Sequence, residues 1–416
     1  MKKFALLAVA AVGVMAACSK NEVAPSTGGS QPETGYQDGK VPVRFGVGAP
    51  AALLTKSTGT VGGLADANVW DQQTLYIFGF DRTVADFTNA ETDAFIWHVE
   101  ATAPDGEASD YIDVMNPDPD GDGMQNDEGE WEPFYYGGNI VYDFYGYHID
   151  DAYWDGAATS NVPVPVAEAD RIYVPFKIDG GQDLMVAKAD PDADILGTEV
   201  TDARNAYSAY SARRGVEPNL VFKHQLARFT FEIVPGSASA NNVQVESLKL
   251  ESKTTGKLVV VGTAETQLGI PAADVEEEKS WLTLRQKNTD SGELEPLAPV
   301  GTETFDEAPE AEQTSKAIGE SILAIPGESV YNIELTLGDK AGSQLTPIAP
   351  LPLVLDVNDV VRPDSSEPIT TFQAGESYKI TIVIYGLEEV KIKATLEEWK
   401  DGGTTVIDPD EPPFSE

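Results

Sequence analysis

The sequence predicts an all-β protein that is built from antiparallel β-sandwiches or barrels. Short apolar runs recur along most of the chain, and Gly, Pro, Asn and Asp separate them. Several runs alternate apolar with polar residues, which is typical of strands with one buried face. A convincing helical pattern is limited to the segment Ala203–Arg213. Regularly spaced short strands without alternating helices favour sandwiches or barrels.

The composition limits the classes of function. The chain has 416 residues, enough for two or three domains, and a net charge of −41 from 69 acidic and 28 basic residues. Nucleic-acid binding requires clustered Lys and Arg against phosphates, so this balance argues against it. It also argues against docking on anionic lipid through a basic face. The single cysteine excludes an internal disulfide, so stability must come from core burial.

The N-terminal segment 1–17 predicts a signal peptide. Lys2 and Lys3 precede the apolar run Phe4–Met15, which is too short to span a membrane as a helix. Two alanines then precede Cys18, and this arrangement resembles the lipobox of bacterial lipoproteins. The resemblance implies that Cys18 is diacylated and holds the mature chain at a membrane surface. The alternative is an ordinary secretory signal that ends at an incidental cysteine.

The next two segments predict a tether and a first strand. Residues 18–40 are rich in Ser, Thr, Gly, Pro and Gln, which is typical of a flexible linker. Val41–Val47 alternates apolar and polar residues, as a half-buried strand does. A polar loop with Lys56 follows, so 41–56 is treated as one segment.

The later strands fall into two series, which predict an N-terminal domain at 57–216 and a C-terminal domain at 217–402. The clearest runs are Leu75–Phe80, Phe95–His98, Asn139–Tyr147, Arg171–Phe176, Asp183–Ala187, Arg228–Val234, Val243–Leu250, Lys257–Val261, Ser321–Ile325, Val330–Leu337, Leu351–Val357, Tyr378–Tyr385 and Val390–Trp399. The acidic stretch Asp274–Lys316 predicts a long surface excursion. The acidic, Pro-rich tail 403–416 predicts a loose end.

Several of these segments resemble, in order, the signatures of a known family. They are Glu132–Tyr136, Val141–Tyr147, Gln182–Ala187, Val221–Phe231, Ala324–Pro326, and Gln373–Tyr378 followed by Trp399. The set resembles the fimbrillin family, the lipoprotein pilins of type V fimbriae in Bacteroidales. This chain departs from the family pattern at His148-Ile149, where Tyr-Pro is usual, and at the acidic insertion 116–130.

The resemblance implies two tandem transthyretin-like β-sandwich domains and a structural or adhesive role. It implies an outer-membrane lipoprotein that an Arg- or Lys-specific protease trims and that then joins a cell-surface fimbria. Trimming would remove the N-terminal strand, and a strand from another fimbrial subunit would fill the groove that it leaves. The implied partners are other fimbrial subunits, the outer membrane through the lipid, and a host or bacterial surface ligand.

Two basic residues are candidate cleavage sites. A cut after Lys56 would release Val41–Val47 whole, whereas a cut after Arg44 would split the predicted strand. The residues after Arg44 resemble the start of a mature major fimbrillin, but the strand pattern favours Lys56. The alternative for both is an ordinary solvated basic residue.

The C-terminal segment is the candidate donor strand. Its apolar residues Val390, Ile392, Ala394 and Leu396 alternate with polar ones, as a groove-filling strand requires. The alternative is a permanent last strand of the second sandwich. In that case Thr404–Ile407 is a shorter donor, and the protein is an anchor or tip subunit.

A calcium site is the one candidate for a bound ion, and no other cofactor is expected. Asp118, Asp120 and Asp122 have the spacing of a calcium loop, with Asn126 at the ninth position. Position twelve is Gly129, so the bidentate acid is missing, and a solvated acidic loop is the preferred interpretation.

Catalysis has little support in the sequence. The three histidines are scattered, and neither a zinc-protease motif nor a serine nucleophile elbow is present. His224 lies in an apolar alternating run, which favours a satisfied core histidine over a ligand. The aromatic strand Phe134–Tyr147 is more typical of a core than of a sugar-binding surface. Alternative functions are a glycan-binding surface lipoprotein and a surface hydrolase.

Overall fold

A computed structural model gives the fold of the chain. It describes residues 41–48, 74–84, 86–89, 95–102, 112–113, 115–116, 132–137, 140–149, 164–190, 206–213, 216–263, 267–289, 294–307, 309, 312–340, 350–362 and 369–397. Strands dominate these residues, which confirms the predicted all-β class.

The part of the chain up to residue 224 contributes twelve described strands. They are β1 Arg44–Gly48, β2 Thr74–Asp81, β3 Phe95–Thr102, β4 Ile112–Asp113, β5 Met115–Asn116, β6 Glu132–Pro133, β7 Tyr142–Ile149, β8 Val166–Ala167, β9 Arg171–Lys177, β10 Leu184–Lys188, β11 Asn219–Val221 and β12 Lys223–His224. The described helices here are α1, Ala209–Ala212, and a 3-10 turn at Phe87–Asn89.

Thirteen described strands follow. They are β13 Ala227–Pro235, β14 Val243–Lys253, β15 Thr255–Gly262, β16 Lys279–Thr283, β17 Arg285–Lys287, β18 Leu294–Pro296, β19 Val300–Gly301, β20 Lys316–Ala324, β21 Val330–Asp339, β22 Leu351–Asp356, β23 Val360–Val361, β24 Ser377–Ile384 and β25 Val390–Glu397. Further 3-10 turns lie at Ala238–Asn242, Ala272–Asp274 and Val357–Asp359.

Three sheets form around the N-terminal strands. One has five strands in the order β12-β10-β7-β2-β3, and two have three strands, β15-β9-β8 and β11-β1-β4. Strands β5 and β6 form a separate two-stranded pair. Strand β7 lies between two cores. Tyr142 and Phe144 are buried in the first core, and Tyr145 and Tyr147 are buried in the second core. The prediction that this aromatic strand fills a core is therefore confirmed.

Two sheets with the orders β20-β13-β24-β25-β23 and β16-β14-β21-β22 share a third core. Alternate residues of their strands, such as Phe229, Leu250 and Ile380, are buried in it. Most described strand pairs are antiparallel, whereas β1–β11, β13–β24 and β23–β25 are parallel.

Two local predictions are wrong. The surface excursion contains β16, which pairs with β14, and its Leu282 is buried together with Leu284. Burial of these two leucines helps to hold this acidic stretch on the core. The helix is shorter than predicted, since α1 begins after Ser208, whose side chain accepts a hydrogen bond from the backbone of Ser211.

The predicted domain bounds stay a prediction. Strands β11 and β12, which follow residue 216, pair with β1 and β10 from the first half. Strand β15 pairs with β9 in the same way. The described sheets therefore join residues from both sides of the proposed boundary.

Candidate functional site

The N-terminal strand is an interior strand of its sheet. It pairs antiparallel with β4, where Phe45 lies opposite Ile112, and parallel with β11, where Val47 lies opposite Leu220. Just before it, the backbone N–H of Val43 donates to the carbonyl of Phe134 at 2.7 Å. The N–H of Tyr136 donates to the carbonyl of Val41 at 2.9 Å. Segment 41–48 is thus hydrogen-bonded along both of its edges.

The side chains of this segment fill a groove in the first core. Val41 is buried, and Val43 and Phe45 are 0% exposed. The Phe45 ring meets the edge of Phe144 at a centroid distance of 5.0 Å, in the T-shaped arrangement that aromatic pairs prefer. Burying three such side chains contributes roughly 5–9 kcal/mol relative to leaving them exposed.

The rest of the groove is lined by aromatic and aliphatic residues from four different segments. These residues are Tyr136, Tyr142, Phe144, Tyr207, Leu220 and Phe222. Burial raises the pKa of Tyr136 well above its usual range and raises that of Tyr142 as well. An ordinary tyrosine is already neutral near neutral pH, and burial extends the neutral form of both phenols to higher pH, so their contribution to the lining is uncharged.

A glycine permits the close packing of the groove floor. A Cβ on Gly146 of β7 would lie 2.8 Å from Cζ of Phe222 and 3.3 Å from Cδ1 of Leu220. Real Cβ atoms do not approach other heavy atoms that closely, so Phe222 reaches the floor because residue 146 lacks a side chain.

The structure describes Arg44, one of the two candidate cleavage residues, but not the other. Arg44 lies in β1, opposite Asp113, between the fully buried Val43 and Phe45. Lys56 lies outside the described residues. The peptide bond after Arg44 is consequently part of a strand that is paired on both sides.

The candidate donor strand is part of its own sheet. Strand β25 pairs with β24 over its whole length, from Val390 opposite Ile384 to Glu397 opposite Ser377. Ala394 is buried, and Val390, Ile392 and Leu396 pack partly buried against the same core. The predicted apolar face therefore points at the core of this chain. The shorter candidate Thr404–Ile407 lies outside the described residues.

The remaining candidate sites have different outcomes. Cys18 and the acidic loop with Asp118, Asp120, Asp122 and Asn126 lie outside the described residues. Within the described ranges, no group of three or more His, Cys, Asp or Glu side chains is placed to hold a metal ion. His224 is a buried core residue, as predicted, and its Nδ1 lies 2.7 Å from Oδ2 of Asp183.

Sequence reasoning missed two parts of the site. It did not assign Asp183 as the partner of His224, and it did not identify residues 132–136 as one wall of the groove. The available signals were a histidine inside an apolar alternating run and an acid directly before the apolar run 184–187. Either signal gives only one member of a pair, so the contact itself was not predictable.

The comparisons with known proteins point to one family. A family profile described as fimbrillin-like matches residues 82–399, which is most of the chain. No curated protein matches the chain. No helix among the described residues is both long enough and apolar enough to cross a membrane.

Solved structures also resemble this one. A candidate cell adhesion protein from Bacteroides uniformis is 16% identical, with a TM-score of 0.45 over 87% of this chain and 100% of that one. The fimbrial anchor protein Mfa2 from Porphyromonas gingivalis is 12% identical, with a TM-score of 0.34 over 85% and 98% of the two chains. The tip fimbrial protein Mfa3 from the same organism is 10% identical, with a TM-score of 0.33 over 86% and 99%.

Proposed function

This chain belongs to the fimbrillin-like family, which is structural and adhesive rather than enzymatic, and we propose on that premise that it is a fimbrial subunit assembled by strand exchange. In this proposal the chain is exported, lipidated at Cys18 and carried to the outer membrane. A protease then removes the N-terminal strand, and the trimmed subunit joins a surface fimbria.

The observation that carries the proposal is the interior position of segment 41–48. Its loss would leave backbone groups of β4, β11 and residues 134–136 without their partners. It would also expose the apolar lining that Val43 and Phe45 cover. Unpaired strand edges and exposed apolar grooves are unfavourable until another strand pairs there. An incoming strand with alternating apolar residues restores both interactions.

We propose Lys56 rather than Arg44 as the cleavage site. A protease must hold several residues around the cut bond in an extended, accessible form. The bond after Arg44 is flanked by two fully buried side chains and lies in a strand paired on both sides. A cut after Lys56 would free the complete strand, and the groove would open by dissociation of one fragment.

We propose further that β25 stays in its own sheet and that Thr404–Ile407 is the donor. Removal of β25 would break its pairing with both β24 and β23 and uncover the third core at Ala394. That cost favours the shorter donor.

The interior position of the aromatic residues argues against the glycan-binding alternative. The aromatic residues Tyr142, Phe144, Tyr145 and Tyr147 of β7 are all buried. A buried ring cannot stack on a sugar, so this strand does not supply a glycan-binding surface.

Cleavage of the purified chain in solution tests the proposal. Trypsin treatment should give polymers that resist dissociation in detergent, and their subunits should begin at Ser57. Lys56→Ala should block both results, whereas Arg44→Ala should leave both unchanged. Trypsin-treated protein that stays monomeric and keeps residues 41–48 would contradict strand exchange.

A further inference from the structure

Asp183 and His224 form a buried pair beside the groove. The two side chains are 1% and 4% exposed, and His224 Nδ1 lies 2.7 Å from Asp183 Oδ2. The other carboxylate oxygen, Oδ1, accepts a hydrogen bond from the backbone N–H of Leu184 at 2.8 Å. A buried carboxylate is tolerated only where such partners replace water. The pair therefore fixes the position of His224 against the turn that carries Asp183.

His224 is continuous with one wall of the groove. Leu220, Phe222, His224 and Leu226 alternate along one run and are all buried. The first of them belongs to β11, whose partner in its sheet is the N-terminal strand β1. His224 lies in β12, which pairs with β10 instead. The run therefore pairs first with β1, which leaves in the proposed exchange, and a few residues later with β10, which stays in place.

The turn that carries Asp183 is held by the C-terminal part of the chain. Asp179 Oδ2 accepts a hydrogen bond from Arg285 at 2.6 Å, and the carbonyl of Gly180 accepts one from the N–H of Leu323 at 2.8 Å. Gln182 Oε1 closes the turn by accepting from the N–H of Asp179 at 2.7 Å. Asp183 therefore projects from a fixed point that does not depend on β1.

We propose that the Asp183–His224 pair keeps the β11 wall of the groove in place after the N-terminal strand has left. The inference rests on the proposed strand exchange, since the wall needs support only when β1 is absent. When β1 leaves, β11 loses its sheet partner, but His224, three residues after the end of β11, is still bonded to Asp183 and paired with β10. The incoming strand then meets a preformed parallel edge, which lowers the entropy lost on binding.

Capture of a labelled peptide by the cleaved chain tests the role of the pair. The full chain is cut with trypsin, the trypsin is inhibited, and a fluorescent synthetic peptide with the sequence of residues 41–48 is added. The wild-type chain should capture the peptide, and Asp183→Asn should weaken the apparent affinity at least tenfold. The matched control is Asp274→Asn, which removes a carboxylate from the ion pair with Arg171, away from the groove. It should bind within about twofold of wild type.

Each outcome decides between the two claims. If Asp183→Asn binds as well as wild type, or if Asp274→Asn weakens capture equally, the positioning role is overturned while strand exchange stands. If the wild-type chain neither captures the peptide nor forms polymers, strand exchange and the positioning role both fail. If it forms polymers without capturing the peptide, the polymerisation rate of the cut Asp183→Asn chain is compared with wild type instead, and an unchanged rate overturns the positioning role. If Asp183→Asn does not fold before cleavage, His224→Leu is compared with His224→Asn, whose amide can still donate to Asp183. The asparagine variant should retain capture that the leucine variant loses.

Discussion

At the scale of single residues, the groove depends on the ring of Phe45 and on the absence of a side chain at Gly146. Phe45 is fully buried against Phe144. Phe45→Ala should lower the free energy of unfolding of the uncut chain by about 3–5 kcal/mol, because it removes the ring and leaves a cavity. Urea denaturation measures this change. Val354→Ala, at a position that is 59% exposed, is the control and should change stability by less than about 0.5 kcal/mol. Equal effects of the two substitutions would contradict the placement of Phe45.

Gly146 provides the second prediction at this scale. A Cβ there would collide with Phe222, so Gly146→Ala should destabilise the chain by about 1–3 kcal/mol through overpacking. Gly386→Ala is a matched control, since a Cβ at that position has no heavy atom within 4 Å. Thermal unfolding of both variants compares them directly. A Gly146→Ala protein as stable as the control would mean that Phe222 does not pack on the floor of the groove.

At the scale of elements, the two ends of the chain have different roles. Deletion of 403–416 should leave thermal stability unchanged, because every described contact of β25 remains. The same deletion should stop polymer growth, since it removes the proposed donor Thr404–Ile407. Deletion from residue 390 onward should instead reduce stability, because it uncovers the third core at Ala394. Polymer growth by the chain that lacks 403–416 would assign the donor role to β25.

The elements also show what the sequence could predict. The alternation in Val41–Val47 and in Val390–Leu396 predicts two strands with one apolar face, and both lie close to the predicted positions. Alternation does not reveal which strand a segment pairs with. The parallel pairing of β1 with β11, more than a hundred and sixty residues away, was therefore not predictable. Leu282 and Leu284 were missed because the acidic run Glu276–Glu278 directly before β16 is typical of a solvated loop, and only two apolar positions follow it on the buried side.

At the scale of the whole molecule, charge opposes assembly. The full chain carries a net charge of −41, and the segment before Ser57 has more basic than acidic residues. Cleaved subunits are therefore still strongly acidic and repel one another. Salt screens this repulsion, and the Debye length falls from about 30 Å at about 0.01 M to about 8 Å at about 0.15 M. The polymerisation rate of cleaved chains should therefore rise with salt over this range. Light scattering measures the rate, and a rate that falls with added salt would indicate attraction between opposite charges at the contact.

The central claim is that the N-terminal strand of each assembled subunit has been replaced by a strand from a neighbour. N-terminal sequencing of subunits from fibres isolated from the cell surface tests it most directly. The account predicts that these subunits begin at Ser57 and lack Cys18 and residues 41–48. Assembled subunits that retain Val41–Val47 would contradict it, since the groove would still be filled by the chain's own strand.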